Sequence, residues 1–119
     1  MIENFIAVRA GSDPAPQIIR IDPAATSFNA AVRKVIHCDL YEVVRVQSGL
    51  LLPPGVVLLA DESGWYKEPL RVNKFASVWY GDMIVGDVLL ASEGYRNGEP
   101  DIVGLDGYQL QWLRHAFRI

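Results

Sequence analysis

One segment of this chain has the hydrophobic period of a helix, and short strand-like segments surround it. Between residues 28 and 36, apolar side chains recur at the spacing i, i+3, i+4, i+7 and i+8: Phe28, Ala31, Val32, Val35 and Ile36. This spacing predicts a helix with a single apolar stripe. Thr26 or Ser27 can cap its first turn with a hydroxyl. We expect this helix to pack on the sheet that the neighbouring strands form.

The predicted strands are short apolar segments separated by turn residues. They cover residues 2–8, 17–21, 40–46, 56–60, 65–67, 83–91 and 101–105. Turn chemistry at residues 11–14, 47–49 and 61–64 ends three of them. The last of these turns predicts a hairpin between residues 56–60 and 65–67. Asn97-Gly98 is the strongest signal of a tight turn.

A second helix is predicted at the end of the sequence. Asp106 can cap it, and Gln109 stands at the third helical position, which completes a pattern like a capping box. Leu110, Leu113 and Phe117 supply its buried stripe. The element order predicts an α+β fold, with a mainly antiparallel twisted sheet of about five to six strands and two helices. We expect residues 1–119 to form a single globular domain.

Composition narrows the class of protein. Half of the 119 residues are hydrophobic, which is typical of a globular chain with a real core. The net charge is −3 and the 11 basic residues are scattered, so nucleic acid is not an expected partner. The start of the chain lacks the pattern of a signal peptide, and no apolar run approaches the roughly 20 residues of a membrane span. We expect a cytoplasmic protein that does not enter a membrane.

Motifs that carry chemistry are mostly missing. The sequence has neither of the usual glycine-rich phosphate loops, and His37, Cys38 and His115 are too few and too scattered for a zinc site. Cys38 fits a small buried hydrophobe better than a nucleophile with a histidine base, because no catalytic sequence context surrounds it. The adjacent Asp61 and Glu62 fit a turn. We expect no cofactor and no metal, and an enzyme is the least supported class.

The remaining candidate site is a polar, aromatic segment, predicted to be a loop at an end of the sheet. Its proposed ligand- or partner-binding residues are Asn73, Lys74, Trp79, Tyr80 and Asp82. Five aromatic residues lie within sixteen positions: Trp65, Tyr66, Phe75, Trp79 and Tyr80. Such a segment suits a partner surface or a shallow pocket. In the alternative interpretation, Phe75 and Trp79 close the core while Asn73 and Lys74 satisfy the loop backbone.

Several motifs occur in a fixed order: Tyr41-Glu42-Val43-Val44, Val57-Leu58-Leu59-Ala60-Asp61-Glu62-Ser63-Gly64, Leu70-Arg71-Val72-Asn73-Lys74, Gly81-Asp82-Met83-Ile84-Val85-Gly86 and Leu105-Asp106. In this order they resemble a small uncharacterised family found largely in bacteriophages, plasmids and other bacterial mobile elements. The similarity covers residues 17–113, about four fifths of the chain. The chain departs from the pattern by its aromatic insertion at residues 75–80 and by Asp87, where an apolar residue is common. The resemblance implies action in the bacterial cytoplasm and implies no activity.

Two functional hypotheses remain open. The first is a non-enzymatic phage or mobile-element factor that binds and modulates a host or phage protein, for example in counter-defence. The second is a module that sequesters a nucleotide or nucleotide-derived signal through Arg71, Asn73 and Lys74, with stacking on Trp79 or Tyr80. A deep pocket at these residues favours the ligand, and a flat exposed patch favours a protein partner. The aromatic content also predicts a homodimer.

Overall fold

The computed structural model describes residues 1–11, 15–46 and 51–119. Within these residues the chain forms six strands and three helices. The strands are β1 (Glu3–Val8), β2 (Gln17–Ile21), β3 (Tyr41–Arg45), β4 (Val56–Asp61), β5 (Val88–Arg96) and β6 (Glu99–Val103). The helices are α1 (Phe28–Ile36), α2 (Lys74–Tyr80) and α3 (Gly107–Phe117). None of these described helices has the length and apolar character needed to cross a membrane.

The strands form one open sheet in the order β2-β1-β5-β4-β3, and every pairing is antiparallel. The central strand β5 is nine residues long and serves two sets of neighbours. Leu90 in its first half lies between Ile6 of β1 and Leu58 of β4. The second half of β5 pairs with β6. The predicted α+β class with a mainly antiparallel sheet is therefore confirmed, with three helices where two were predicted.

Both faces of the sheet are covered, which explains why β4 is buried, and apolar up to Ala60, and why the first half of β5 is buried too. One face packs against α1 through the cluster that contains Phe5, Val32 and Leu59. The other face packs against α2 and α3 through the cluster that contains Trp79 and Leu113. The molecule thus has three layers, and the core lies on either side of the sheet.

The helix predicted from residues 28–36 is confirmed. The Ser27 hydroxyl accepts a hydrogen bond from the Ala30 backbone N–H at 3.4 Å, which caps the first turn. Val32 and Ile36 are buried against the sheet, as the stripe requires. The helix ends at His37, which adopts a left-handed conformation with φ of 56°. The capping box of α3 is confirmed as well: the side chains of Asp106 and Gln109 each accept from the other's backbone N–H at 2.8 Å.

Three predicted strands differ from the structure. The hairpin of residues 56–60 with 65–67 is wrong, because β3 and β5 already occupy both edges of β4 and Gly64–Tyr66 forms a short 3-10 helix. The strand predicted at residues 83–91 begins only at Val88, since residues 84–86 bond to residues 71–73. Asn97-Gly98 forms the predicted tight turn, so β6 starts directly after it at Glu99 rather than at residue 101. The turns predicted at residues 11–14 and 47–49 lie largely or wholly outside the described residues.

Candidate interaction surface

The segment predicted to be a loop contains the seven-residue helix α2. Asn73 begins it, because its side-chain oxygen accepts a hydrogen bond from the Ala76 backbone N–H at 3.1 Å. Gly81 ends it in a left-handed conformation with φ of 87°. The helix places Ala76 and Trp79 in the core below it. The candidate site residues therefore sit on, or next to, a rigid element.

Asn73 is fully buried, so the expectation that it lies on an exposed surface is wrong. Its amide nitrogen donates to the carbonyl of Val8 at 2.9 Å and to the carbonyl of Gly86 at 3.1 Å. These bonds join the start of α2 to β1 and to the segment before β5. Burial of an amide is favourable only when its donors and acceptor are hydrogen-bonded. The two bonds that the Asn73 nitrogen donates and the one that its oxygen accepts all have partners inside the protein.

Trp79 is 8% exposed, so its expected place on an exposed surface is wrong as well. Its ring stacks on Phe75 with 5.9 Å between centroids and meets Phe117 of α3 at 5.7 Å. Aromatic pairs at these separations add to the free energy of burial. The geometry supports the alternative interpretation, in which Trp79 closes the end of the core.

Lys74, Tyr80 and Asp82 are exposed, as expected. They do not share one face, however. Six positions separate Lys74 from Tyr80, which is about 240° around a helix, so the two side chains leave α2 in different directions. Asp82 follows the helix, and its carboxylate accepts from the Met83 backbone N–H at 2.7 Å. The five predicted residues thus lie on or next to one short helix, but Asn73 and Trp79 are buried while Lys74, Tyr80 and Asp82 are exposed.

The polarity of α2 is partly reversed relative to an ordinary surface helix. The polar Ser77 faces inward, where its hydroxyl donates to the Asn73 carbonyl at 2.7 Å and accepts from the Ile84 backbone N–H at 2.9 Å. On the opposite side, Phe75 is 50% exposed and Val78 is 65% exposed. We call Lys74, Phe75 and Val78 the α2 outer face, since their spacing puts them on one side of the helix. Sequence reasoning singled out Lys74 and missed Val78.

The outer face is an exposed surface of the helix. Five surface depressions on the described part of the chain have volumes of about 280 to 740 Å³, and none of these five is lined by a residue of α2. The edge of Phe75 meets Phe117 of α3 at 5.8 Å between centroids, so the face continues onto the last turn of that helix. An open apolar surface of this kind suits a macromolecular partner better than a small ligand.

A charged cluster that the sequence did not reveal lies at the end of β1 and the start of β5. The buried carboxylate of Asp87 accepts from the Ala10 backbone N–H at 2.8 Å and from Arg9 at 3.3 Å, and contacts the His37 ring at 3.2 Å. The carboxylate of Asp61, also buried, pairs with Lys67. Both carboxylates are engaged within the protein, which gives them a structural role. A carboxylate in an otherwise apolar stretch, as Asp87 is, was the available sequence signal.

Cys38 has the environment of a buried hydrophobe rather than that of a nucleophile. Its side chain packs in the core cluster beneath α1. Burial, aided by the negative charge of Asp61, raises the pKa of the thiol above its ordinary value. The thiol is therefore protonated at neutral pH, whereas nucleophilic attack requires the thiolate. Among the described residues, no group of three or more His, Cys, Asp or Glu is arranged to hold a metal ion.

Comparison with known proteins found no matching family model, no similar curated protein and no similar solved structure. The resemblance to the mobile-element family therefore stays a prediction from the sequence motifs.

Proposed function

We propose that this chain is a small non-enzymatic interaction protein that binds another protein through the α2 outer face. The observation that carries the proposal is the exposure of Phe75 and Val78 on a helix whose polar Asn73 and Ser77 face the interior. The hydrogen bonds of the inner polar groups fix the position of the helix, so its outer apolar side chains are preorganised for binding a partner. A preorganised face binds with a smaller entropy cost than a mobile loop does.

The motif resemblance to mobile-element proteins points to a partner of bacterial host or phage origin. In this proposal the chain acts in the bacterial cytoplasm and modulates that partner, as a counter-defence factor would. Apolar surface removed from water on binding contributes about 25 cal/mol per Å² before the costs of association. Phe75 and Val78 are the side chains of α2 that supply this surface.

The nucleotide-binding alternative receives less support from the geometry. It required Asn73 to meet a ligand and Trp79 or Tyr80 to stack on a base. Asn73 and Trp79 are buried and make their contacts inside the protein. Arg71 is exposed, and one of its guanidinium nitrogens donates to the Ala10 carbonyl at 3.0 Å. Asn73 and Trp79 would have to leave their present partners before they could hold a ligand.

Capture from the native bacterial host tests the proposal. The tagged parent, Val78→Glu and Tyr95→Glu are compared, with quantification of co-purified proteins by mass spectrometry. Tyr95 is a matched control, because it is another exposed large side chain and lies on the β5–β6 hairpin. We expect a partner retained by the parent and by Tyr95→Glu but lost with Val78→Glu. If folded Val78→Glu retains the partner at the parental level, the outer face is not the binding site.

A further inference from the structure

We propose that the partner segment that docks on the α2 outer face is acidic, with apolar side chains flanked by carboxylates. This inference rests on the proposed function and specifies the chemistry of the partner. Three cations define the expected recognition: Lys74 on α2, and Arg114 and Arg118 at the end of α3. The partner's apolar side chains would contact Phe75 and Val78, and its carboxylates would reach the three cations.

The cations lie next to the apolar face because two helix ends meet. Phe75, in the first turn of α2, contacts Phe117, in the last turn of α3, at 5.8 Å between ring centroids. Lys74 precedes Phe75, while Arg114 and Arg118 flank Phe117 along the chain. The fold therefore gathers Lys74, Arg114 and Arg118 around one aromatic contact, although some forty residues separate them in the sequence.

Lys74, Arg114 and Arg118 stand apart from the ion pairs that Asp and Glu side chains form in the described part of the chain. Within the described residues, the ion pairs use Arg9, Arg45, Lys67 and Arg96, whereas Lys74, Arg114 and Arg118 take part in none. On α3 itself, the carboxylate of Asp106 caps the opposite end of the helix. Eleven residues separate it from Phe117, about 16 Å along the helix axis. A locally positive surface on a chain of net charge −3 favours a partner of opposite charge.

A depression beside the cations provides room for the partner's acidic side chains. Its volume is about 740 Å³, and it runs along the solvent side of α3. Arg114, His115 and Arg118 supply positive or titratable groups, and Leu110 and Ile119 supply apolar walls. Arg114 is oriented by its own bond, in which Nε donates to the backbone oxygen of Ile119 at 3.2 Å. The guanidinium can present its remaining N–H groups to a carboxylate, the pairing for which its planar fork is suited.

Two other occupants fit the charge pattern less well. A second copy of this chain, paired face to face, would place Lys74, Arg114 and Arg118 against the same positive groups, which disfavours association. Nucleic acid would be attracted to these cations. A protein that binds it stably commonly makes about six to ten phosphate contacts, however, and three cations would make about half of six. The aliphatic Val78 and Ile119 also suit an amphipathic protein segment better than they suit bases.

Selection from a displayed library of random 16-residue peptides tests the inference without a known partner. Peptides are selected on the parent protein, and their affinities are then measured for Arg114→Ala/Arg118→Ala and for the control Arg20→Ala/Lys34→Ala. The control removes the same charge from exposed positions elsewhere. We expect enriched peptides that are acidic and apolar. Their affinity should fall about tenfold for the α3 variant, should stay near the parental value for the control, and should weaken with added salt.

Two further arms separate failure of this inference from failure of the proposed function. The same peptides are measured against Val78→Glu and Val78→Lys, which both remove the apolar contact but change the charge in opposite directions. The selected peptides could lose affinity for both variants and yet be neutral or basic. This result would overturn the inference that the partner is acidic, while the proposed function would still hold. Peptides that bind both variants like the parent, or a selection that yields no binder, would overturn both proposals.

Direct tests of the two other occupants complete the design. The first test measures binding of a single-stranded oligonucleotide of about 20 thymidines. Nucleic acid would be the partner if this oligonucleotide binds more tightly than any selected peptide and loses affinity for Arg114→Ala/Arg118→Ala. A dimer in light scattering that Val78→Glu dissociates would assign the outer face to a second copy of the chain. Either result would overturn the acidic partner, while a monomer that does not bind the oligonucleotide supports it.

Discussion

Asn73 shows how one residue can be singled out for the wrong reason. An amide before an aromatic segment fits an anion or carbonyl site, and it equally fits a group that satisfies backbone atoms. The structure shows the second role, because the side chain is buried and bridges α2, β1 and the segment before β5. The sequence cannot separate the two roles, since burial of this residue depends on contacts with Val8 and Gly86, far away in the chain.

Substitution of Asn73 should destabilise the fold. Asn73→Ala removes the helix cap and leaves the buried carbonyls of Val8 and Gly86 without their donor, at a cost of about 2–4 kcal/mol. Asn73→Asp keeps an acceptor for the cap but loses both donated bonds and buries a charge, so it should also destabilise. Denaturant unfolding measures both variants, with the exposed Asp82→Asn as the control. Parental stability of Asn73→Asp would show that the two donated bonds contribute nothing.

Glu3 is a second residue whose importance comes from the fold. Its carboxylate accepts from Arg96 at 2.7 and 3.1 Å and from the Gly104 backbone N–H at 2.7 Å, which joins β1 to the β5–β6 hairpin. The hydrogen bonds from Arg96 are the largest cause that lowers the pKa of Glu3 below 4.5, and burial opposes them. A lowered pKa means that the folded state favours the carboxylate more than the unfolded state does.

The pH dependence of stability tests this ion pair. Because the folded-state pKa is lowered, the contribution of Glu3 is present above the unfolded pKa of 4.5 and is lost as the pH falls through the folded value. Glu3→Gln should therefore be less stable than the parent at pH 7, and the difference should shrink at acid pH. Thermal melts of both proteins between about pH 7 and pH 2.5 measure it. A difference that does not change with pH would show that the charge of Glu3 is irrelevant.

At the scale of elements, α1 and α3 were predictable and α2 was not. The first two carry local signals: an apolar stripe at helical spacing in α1 and a capping box in α3. With seven residues, α2 is too short to show a period, and its inward polar residues weaken the stripe further. The start of β5 was also misplaced, since Ile84 and Gly86 bond to the segment before α2 instead of to the sheet. Such non-local pairing leaves no periodic trace in the sequence.

The buried stripe of α1 gives a prediction at this scale. Val32 is fully buried, so Val32→Asp would place a carboxylate among the apolar side chains of the core cluster between α1 and the sheet. We expect a loss of about 3 kcal/mol or more in unfolding free energy. The exposed Lys34→Asp on the same helix is the control, and chemical denaturation measures both. A melting temperature of Val32→Asp within a degree or two of the parent would mean that α1 does not bury this stripe.

At the scale of the whole molecule, the three layers combine a continuous core with the surface that we propose for recognition. The sheet and α1 form a continuous core, and the charged clusters around Asp61 and Asp87 join its loops. The helical layer of α2 and α3 presents Phe75 and Val78, and Lys74, Arg114 and Arg118 form no ion pair with a described Asp or Glu side chain. The α+β class was predictable from the sequence, whereas this surface was not, because it combines residues from two helices. The predicted homodimer stays untested, and the positive charge of this surface favours a different partner.

The central claim is that α2 has a structural inner face and a recognition outer face, and two adjacent residues test it most directly. Val78→Glu and Trp79→Ala are compared in melting temperature and in affinity for the captured partner or a selected peptide. We predict that Val78→Glu keeps the parental melting temperature and loses binding. Trp79→Ala should lower the melting temperature by about 10 °C or more, as expected when a buried aromatic side chain is removed. Parental binding by Val78→Glu, or parental stability of Trp79→Ala, would contradict the account.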